Sequence, residues 1–171
     1  NNFEFYCPTR IVFGKSTIAK LPELIDKSKK ILITYGGGSI KKNGVYEQVK
    51  NALQGYDILE FGGIEPNPKY ETLMKAVDIV KSEGINFLLA VGGGSVLDGT
   101  KFIAAASKYY GEKDAYDYFM VEQNPVRDAL PLADVITLPA TGSEMNNGAV
   151  ISRISTDEKL AFQWEPLYPQ F

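Results

Sequence analysis

Two stretches of three glycines followed by serine are the residues of this chain best suited to hold a ligand. They occupy residues 36–39 and 92–95, and each directly follows an apolar run. Glycine lacks a Cβ, so its backbone adopts positive φ angles and a ligand can approach it closely. The first N–H groups of a helix have no intrahelical partner and favour an anion. A strand, a glycine turn and a helix in this order therefore predict phosphate binding.

The second stretch also has a purely structural explanation. Ser95 and Asp98 have the spacing of a capping box, in which the serine caps a helix and the carboxylate reaches back to its start. Neither standard phosphate motif matches, because the dinucleotide fingerprint requires glycine at Leu97 and the phosphate loop requires Gly-Lys-Ser/Thr at residues 99–101. A capping box does not explain three successive glycines. Phosphate binding and a structural helix start both remain open at this point.

Composition excludes several classes of function. The chain has no histidine, which removes the usual catalytic triads, imidazole zinc sites and histidine bases. With 18 basic and 21 acidic residues its net charge is −3, so no nucleic-acid partner is expected. The single cysteine, Cys7, cannot form an internal disulfide, and no apolar run approaches the roughly 18 residues of a membrane span. No signal segment opens the chain, and we expect a cytoplasmic protein with no membrane partner.

Apolar strands alternate with helices along most of the chain. Strands are predicted at residues 30–35, 56–61, 86–91 and 133–139, and helices at residues 14–26, 43–53, 68–83 and about 95–107. Asn67 before Pro68 predicts the N-cap of the third helix. The strands are too apolar to have one wet face, so they predict an α/β fold: a Rossmann-like, doubly wound parallel sheet covered by helices on both sides. Both glycine turns then lie at carboxyl ends of strands, where such folds bind ligands.

Four further segments complete the prediction. Residues 3–13 form an amino-terminal β-arm, which either completes the sheet or pairs with a second subunit. Residues 108–128 are polar and aromatic, as in irregular surface structure. Residues 140–148 are rich in hydroxyl and amide groups that suit a ribose or pyrophosphate, although a plain turn has the same composition. Residues 148–154 and 160–164 predict a closing hairpin.

Five motifs carry a resemblance to a known family. They are Phe-Gly at residues 13–14, Ile-Thr-Tyr-Gly-Gly-Gly-Ser at 33–39, Phe-Gly-Gly-Ile-Glu-Pro-Asn-Pro at 61–68, Ala-Val-Gly-Gly-Gly-Ser-Val-Leu-Asp-Gly-Thr-Lys at 90–101 and Leu-Pro-Ala-Thr-Gly-Ser-Glu at 138–144. Together they resemble the iron-containing, group III alcohol dehydrogenases, in particular the NADP-dependent butanol dehydrogenase and aldehyde reductase branch. The likeness covers nearly the whole chain.

The resemblance implies that residues 1–171 are a dinucleotide-binding domain, the amino-terminal domain of that family. It implies that the pyrophosphate lies on Gly93, Gly94 and Ser95. The other residues that it assigns to the cofactor site are Gly37, Gly38, Ser39, Asn67, Asp98, Thr137, Thr141, Ser143, Val150 and Lys159.

The residues after the first nucleotide-binding strand favour NADP over NAD. An acidic residue there accepts hydrogen bonds from a ribose 2′-hydroxyl and would repel a 2′-phosphate. NAD-preferring relatives carry Asp at this place, whereas this chain has Gly38 and Ser39, followed by Lys41 and Lys42. The two lysines are also compatible with an ordinary solvated helix start.

The family has a second, helical domain, in which an Asp and three His residues hold iron or sometimes zinc. None of that domain is in these residues, so we expect this chain to contain no metal ligand and no catalytic residue. The complete enzyme would transfer hydride between NADP(H) and a small alcohol or aldehyde, as a homodimer, while this chain alone would bind cofactor without turnover. A stand-alone nucleotide-binding module without catalysis is the alternative.

Overall fold

Four parallel strands form the centre of the molecule in the computed structural model, which describes residues 2–171. They are β1 (Lys30–Thr34), β2 (Asp57–Phe61), β3 (Phe87–Gly93) and β4 (Leu132–Leu138), in the sheet order β2-β1-β3-β4. Leu32 of β1 lies opposite Leu59 of β2 and Leu88 of β3. The predicted parallel sheet is confirmed.

Helices cover both faces of this sheet. They are α1 (Leu21–Leu24), α2 (Ser39–Lys42), α3 (Val45–Ala52), α4 (Tyr70–Glu83) and α5 (Gly94–Ser107). Side chains of a strand alternate between faces, so Ile31 and Ile33 pack in one core with α1 and α3, whereas Leu32 packs in the other core with α4 and α5. The sheet is therefore doubly wound, as predicted.

The chain leaves β1 for β2 on one side and later returns to place β3 on the other side of β1. The carboxyl ends of β1 and β3 are consequently neighbours at the point where the strand order reverses. Open α/β sheets bind ligands in the crevice at such a switch point. Both glycine turns flank it.

An antiparallel hairpin, β5 (Gly148–Arg153) and β6 (Glu158–Gln163), lies against α5. Its inward side chains Ala149, Ile151 and Phe162 join the core of the α4 and α5 face. The hairpin predicted at residues 148–154 and 160–164 is confirmed.

Backbone and side-chain bonds fix the hairpin to α4. The N–H of Ser152 donates to the carbonyl of Pro68 at 2.9 Å, and the N–H of Ile154 donates to Oε1 of Glu71 at 2.9 Å. The Arg153 guanidinium also bonds Asp117, in the π-helical turn Asp117–Val121, at 2.7 Å. The hairpin is thus held at the start of α4 as well as along α5.

The expected amino-terminal β-arm is wrong as secondary structure, because residues 2–13 contain no strand. In this segment the N–H of Arg10 donates to the carbonyl of Gln170 at 3.0 Å, and the thiol of Cys7 donates to the carbonyl of Met145. One backbone bond does not make a ladder, so the arm does not complete the sheet.

The helix expected from residue 68 begins later, at Tyr70. Its N-cap is Lys69, and Asn67 has a φ of 54°, in the left-handed region. An N-cap residue adopts β-region angles, so the predicted capping role of Asn67 is wrong. The predicted helix at residues 43–53 is preceded by the separate short helix α2, from which Gly44, with a φ of 80°, divides it. No helix within residues 2–171 combines the length and the apolar character needed to cross a membrane.

Candidate functional site

The three glycines at the junction of β3 and α5 have different roles. A Cβ on Gly92 would lie 2.7 Å from Cγ2 of Val96, and one on Gly94 would lie 2.5 Å from Oγ1 of Thr141. Packing therefore requires glycine at these two positions. A Cβ on Gly93 would meet no atom within 4 Å. Gly93 is thus the open position, where a ligand can reach the backbone.

The helix begins at this junction without an intervening loop. Gly93 is both the last residue of β3 and the N-cap of α5, so Ser95 lies inside the helix and does not cap it. The capping-box alternative is wrong. The free N–H groups at the start of this 14-residue helix point out of the carboxyl end of the sheet. The positive end of the helix dipole lies at these N–H groups and favours a phosphate.

The glycine turn after β1 lies beside this junction. A Cβ on Gly36 would lie 3.2 Å from the carbonyl oxygen of Ile64 and 3.6 Å from Cγ2 of Val96. Gly37 and Gly38 face open space, and Gly38 has a φ of 95°, which favours glycine. Ser39 is exposed at the start of α2. This turn is therefore both close to α5 and accessible.

A cation is held next to the β1 turn. Nζ of Lys41 lies 4.9 Å from the ring centroid of Tyr35 and 5.0 Å from that of Tyr46. The hydrogen bond with Tyr35 raises the pKa of Lys41 above its ordinary value. The side chain is thus a fixed positive charge at physiological pH.

Four of the predicted site residues line one cavity of about 710 Å³ between α5 and the hairpin: Asp98, Thr141, Ser143 and Val150. This volume is in the range of small-molecule sites. Gln123, Asn146 and Trp164 line it as well and were not predicted. Gln123 comes from the segment predicted to be irregular surface, where no sequence pattern marks it.

Asp98 organises one side of this cavity. Its Oδ1 accepts from Oγ of Ser143 at 2.6 Å, and its Oδ2 accepts from the N–H of Val150 at 3.0 Å. The carboxylate thus joins α5 to the loop after β4 and to β5. It positions two cavity residues, which a capping carboxylate could not do.

Lys101 is a buried charge beside this cavity that sequence reasoning missed. It is fully buried, one helical turn beyond Asp98, and its Nζ donates to groups of the same loop. The signal was a single lysine followed by a run of apolar helix residues, from Phe102 to Ala106.

Asn67 and Lys159 meet, although they lie 92 residues apart. Nζ of Lys159 in β6 donates to Oδ1 of Asn67 at 2.7 Å, which joins the hairpin to the loop after β2. Both side chains are exposed and available to a ligand.

Thr137 lies elsewhere. It lines a second cavity of about 570 Å³, together with Asp134, Glu144 and residues of the amino-terminal segment. Burial raises the pKa of Asp134 to about 7, and the nearby charge of Glu144 adds to this effect. The structure therefore does not bring Thr137 to the cavity of the other predicted residues.

The donor set does not fit a metal ion. Among residues 2–171, no group of three or more His, Cys, Asp and Glu side chains could hold one. No step of the chemistry is therefore assigned to a metal bound by these residues.

Known proteins resemble this chain over its full length. The NADPH-dependent aldehyde reductase YqhD of Escherichia coli K12 is 57% identical over 171 residues, which are 100% of this chain and 44% of that protein. A probable NADH-dependent butanol dehydrogenase 1 of Bacillus subtilis is 47% identical over 173 residues, covering 99% of this chain and 44% of that protein. The chain thus spans less than half the length of these relatives.

Solved structures share the fold. The crystal structure of Escherichia coli K-12 YqhD superposes with a TM-score of 0.95 at 57% identity, over 100% of this chain and 44% of that one. NADH-dependent butanol dehydrogenase A of Thermotoga maritima superposes with a TM-score of 0.92 at 45% identity, over 99% and 43%. The sequence model of the iron-containing alcohol dehydrogenases matches residues 8–171. The chain belongs to the iron-containing alcohol dehydrogenase family.

Proposed function

We propose that residues 1–171 are the dinucleotide-binding domain of an NADP(H)-dependent alcohol dehydrogenase or aldehyde reductase. The observation that carries this proposal is the junction of β3 and α5, where an accessible Gly93 and the start of a long helix meet at the switch point of the sheet. Bound NADP(H) would supply or accept the hydride that an aldehyde or alcohol exchanges.

The residues around the junction suggest how the cofactor would lie. Gly93, Gly94 and Ser95 would hold the pyrophosphate at the start of α5. The nicotinamide would extend toward the cavity of about 710 Å³ that Asp98 and Ser143 line. The remaining predicted contacts of this cavity and its surroundings are Asn67, Thr141, Val150 and Lys159, while Thr137 stays a prediction of the resemblance.

We propose NADP(H) rather than NAD(H) because of the charges near the β1 turn. Gly37, Gly38 and Ser39 place no carboxylate there, and Lys41 offers a fixed cation to a 2′-phosphate. The names of the relatives do not decide the matter, since the Escherichia coli protein is called NADPH-dependent and the Bacillus subtilis one NADH-dependent.

Calorimetric titration of this chain with NADPH and with NADH tests both parts of the proposal. We expect both to bind and NADPH to bind more tightly. If neither cofactor binds, the assignment of the domain is contradicted. Equal or reversed affinities would contradict the preference for NADPH alone.

We further propose that the protein forms a homodimer through its amino-terminal segment. Three phenylalanines of this segment, Phe3, Phe5 and Phe13, are 89%, 76% and 96% exposed. Large apolar side chains exposed along one segment favour a protein partner. Sedimentation equilibrium measures the association, and a monomer at micromolar concentration would refute it.

A further inference from the structure

The ammonium group of Lys101 connects α5 to a single segment of the chain, residues 143–148. Three backbone carbonyls of that segment, those of Ser143, Asn146 and Gly148, each lie 2.8 Å from Nζ. Oδ1 of Asn146 lies at 3.0 Å and Oγ of Ser143 at 3.2 Å. An ammonium group has three N–H donors, so the three carbonyls match its full donor capacity.

This segment offers carbonyls that need a donor. It runs from the 3₁₀ turn Ser143–Met145 to the first residue of β5. The carbonyl of Asn147 accepts from the N–H of Trp164 after β6, whereas those of Ser143, Asn146 and Gly148 face the buried Lys101 side chain. Unpaired buried carbonyls are costly. Lys101, together with Asp98, therefore holds the segment on α5.

The same segment carries one wall of the proposed cofactor site. Ser143 is bonded to Asp98, and Val150, two residues beyond the end of the segment, donates its N–H to the same carboxylate. Asp98 and Lys101 are one turn apart on α5 and bond the segment with opposite polarity, one as acceptor and the other as donor. Loss of the Lys101 bonds would leave Asp98 to hold the wall alone.

We propose that Lys101 is a positioning residue for dinucleotide binding, which holds residues 143–148 on α5 and so shapes the cavity beside Asp98. This inference rests on the proposed function. In this role Lys101 contacts no cofactor atom and acts through Ser143, Asn146 and Gly148.

The role requires the charged form of the side chain. Burial lowers the pKa of Lys101 to about 8, against the opposing effect of the carboxylates of Asp98 on α5, Asp134 on β4 and Glu144 in the 3₁₀ turn. The neutral amine has one N–H fewer and no charge to offer the three carbonyls. Cofactor affinity should therefore fall as the pH rises above 8, a range in which Lys41 keeps its charge because its pKa is raised.

The test is the dissociation constant of NADPH measured by calorimetry at pH 7, 8 and 9. For the unmodified chain we expect a rise of about tenfold between pH 7 and pH 9, as for loss of one required proton with a pKa near 8. Lys101→Arg keeps its charge throughout this range and should show a constant value within about twofold. Lys101→Met should bind weakly and equally at each pH.

Lys75→Met is the matched control, because Lys75 is exposed on α4 and is not part of the site. It should reproduce the profile of the unmodified chain. Urea unfolding reports whether Lys101→Met is folded; if it is not, the profile of Lys101→Arg decides. An unchanged NADPH affinity of folded Lys101→Met at pH 7, or an unchanged tenfold rise in Lys101→Arg, would overturn the positioning role alone. Absence of NADPH binding at pH 7 would contradict the proposed function itself.

Discussion

Lys41 is held in place by groups that are themselves anchored. Its ammonium lies near the rings of Tyr35 and Tyr46, and the hydroxyl of Tyr46 donates to Oε1 of Glu60 at 2.8 Å. Nζ of Lys50 bonds the same carboxylate at 3.0 Å. Glu60 is thus satisfied by two donors and stabilises the tyrosine that fixes Lys41. A long side chain held in this way loses little further freedom when it binds an anion.

At the scale of this residue, Lys41→Met should weaken NADPH binding about tenfold, since one charge-assisted bond to a phosphate is removed. NADH binding should not change, because NADH has no 2′-phosphate. Titration calorimetry with both cofactors measures the two effects. Lys42→Met is the control for loss of a neighbouring exposed lysine, and a larger effect there would assign the phosphate to Lys42 instead.

At the scale of elements, α5 unites the site. Its start provides Gly94, its second turn Asp98 and its third turn Lys101. Each of these residues contacts the loop after β4: Gly94 at Thr141, Asp98 at Ser143, and Lys101 at residues 143–148. The helix and this loop are therefore joined at three places, and a change at any of them should affect cofactor binding.

Gly94→Ala tests this coupling. Alanine usually favours a helix by up to about 1 kcal/mol over glycine, but here its Cβ would lie 2.5 Å from Oγ1 of Thr141. We expect a loss of about 1 to 3 kcal/mol in the free energy of unfolding, as for an overpacked site, together with weaker NADPH binding. Urea unfolding and calorimetry measure the two effects.

Thr141→Ala provides the rescue for this variant. It removes Oγ1 and Cγ2 and leaves the Cβ of residue 141, at 3.4 Å, as the nearest remaining atom. The double variant should regain most of the lost stability. If Gly94→Ala is as stable as the unmodified chain, the loop is not packed on α5 as described.

The sequence predicted those elements whose signals are local. Apolar runs placed β1 to β4, and the glycine turns were found because strand, turn and helix follow one another directly. Lys101 was missed because its acceptors lie 42 to 47 residues further along the chain. The capping role of Asn67 failed for a similar reason: its side chain bonds Lys159, 92 residues away, and not the start of α4. The amino-terminal segment has strand-forming residues, but a strand also needs a partner edge, which sequence alone does not reveal.

At the scale of the whole molecule, the fold places a buried lysine and a half-buried carboxylate of opposite charge on either side of one loop. Lys101 on α5 and Asp134 on β4 each influence the pKa of the other, and Glu144 from the loop influences both. Burial dominates in both cases, so the pKa of Lys101 is lowered and that of Asp134 is raised. The folded protein consequently tolerates these charges at a cost in stability, which depends on pH.

Asp134 makes this cost measurable. Its pKa is about 7 in the folded protein and 3.8 in the unfolded reference, so the folded state binds more protons between these values. Stability should therefore fall as the pH rises from about 4 to 7, by about 2 to 4 kcal/mol for this group. Asp134→Asn removes the titration. Urea unfolding at pH 4.5, 5.5, 6.5 and 7.5 should show the stability of the unmodified chain, relative to Asp134→Asn, declining across this range.

Carboxylates with lowered pKa values, such as Glu60 and Glu158, have the opposite effect on the pH dependence of stability. Their effect is the same in both proteins and cancels in the difference. Asp78→Asn, on the exposed side of α4, controls for loss of one carboxylate, and a constant difference for Asp134→Asn would show that Asp134 is not buried as a charge.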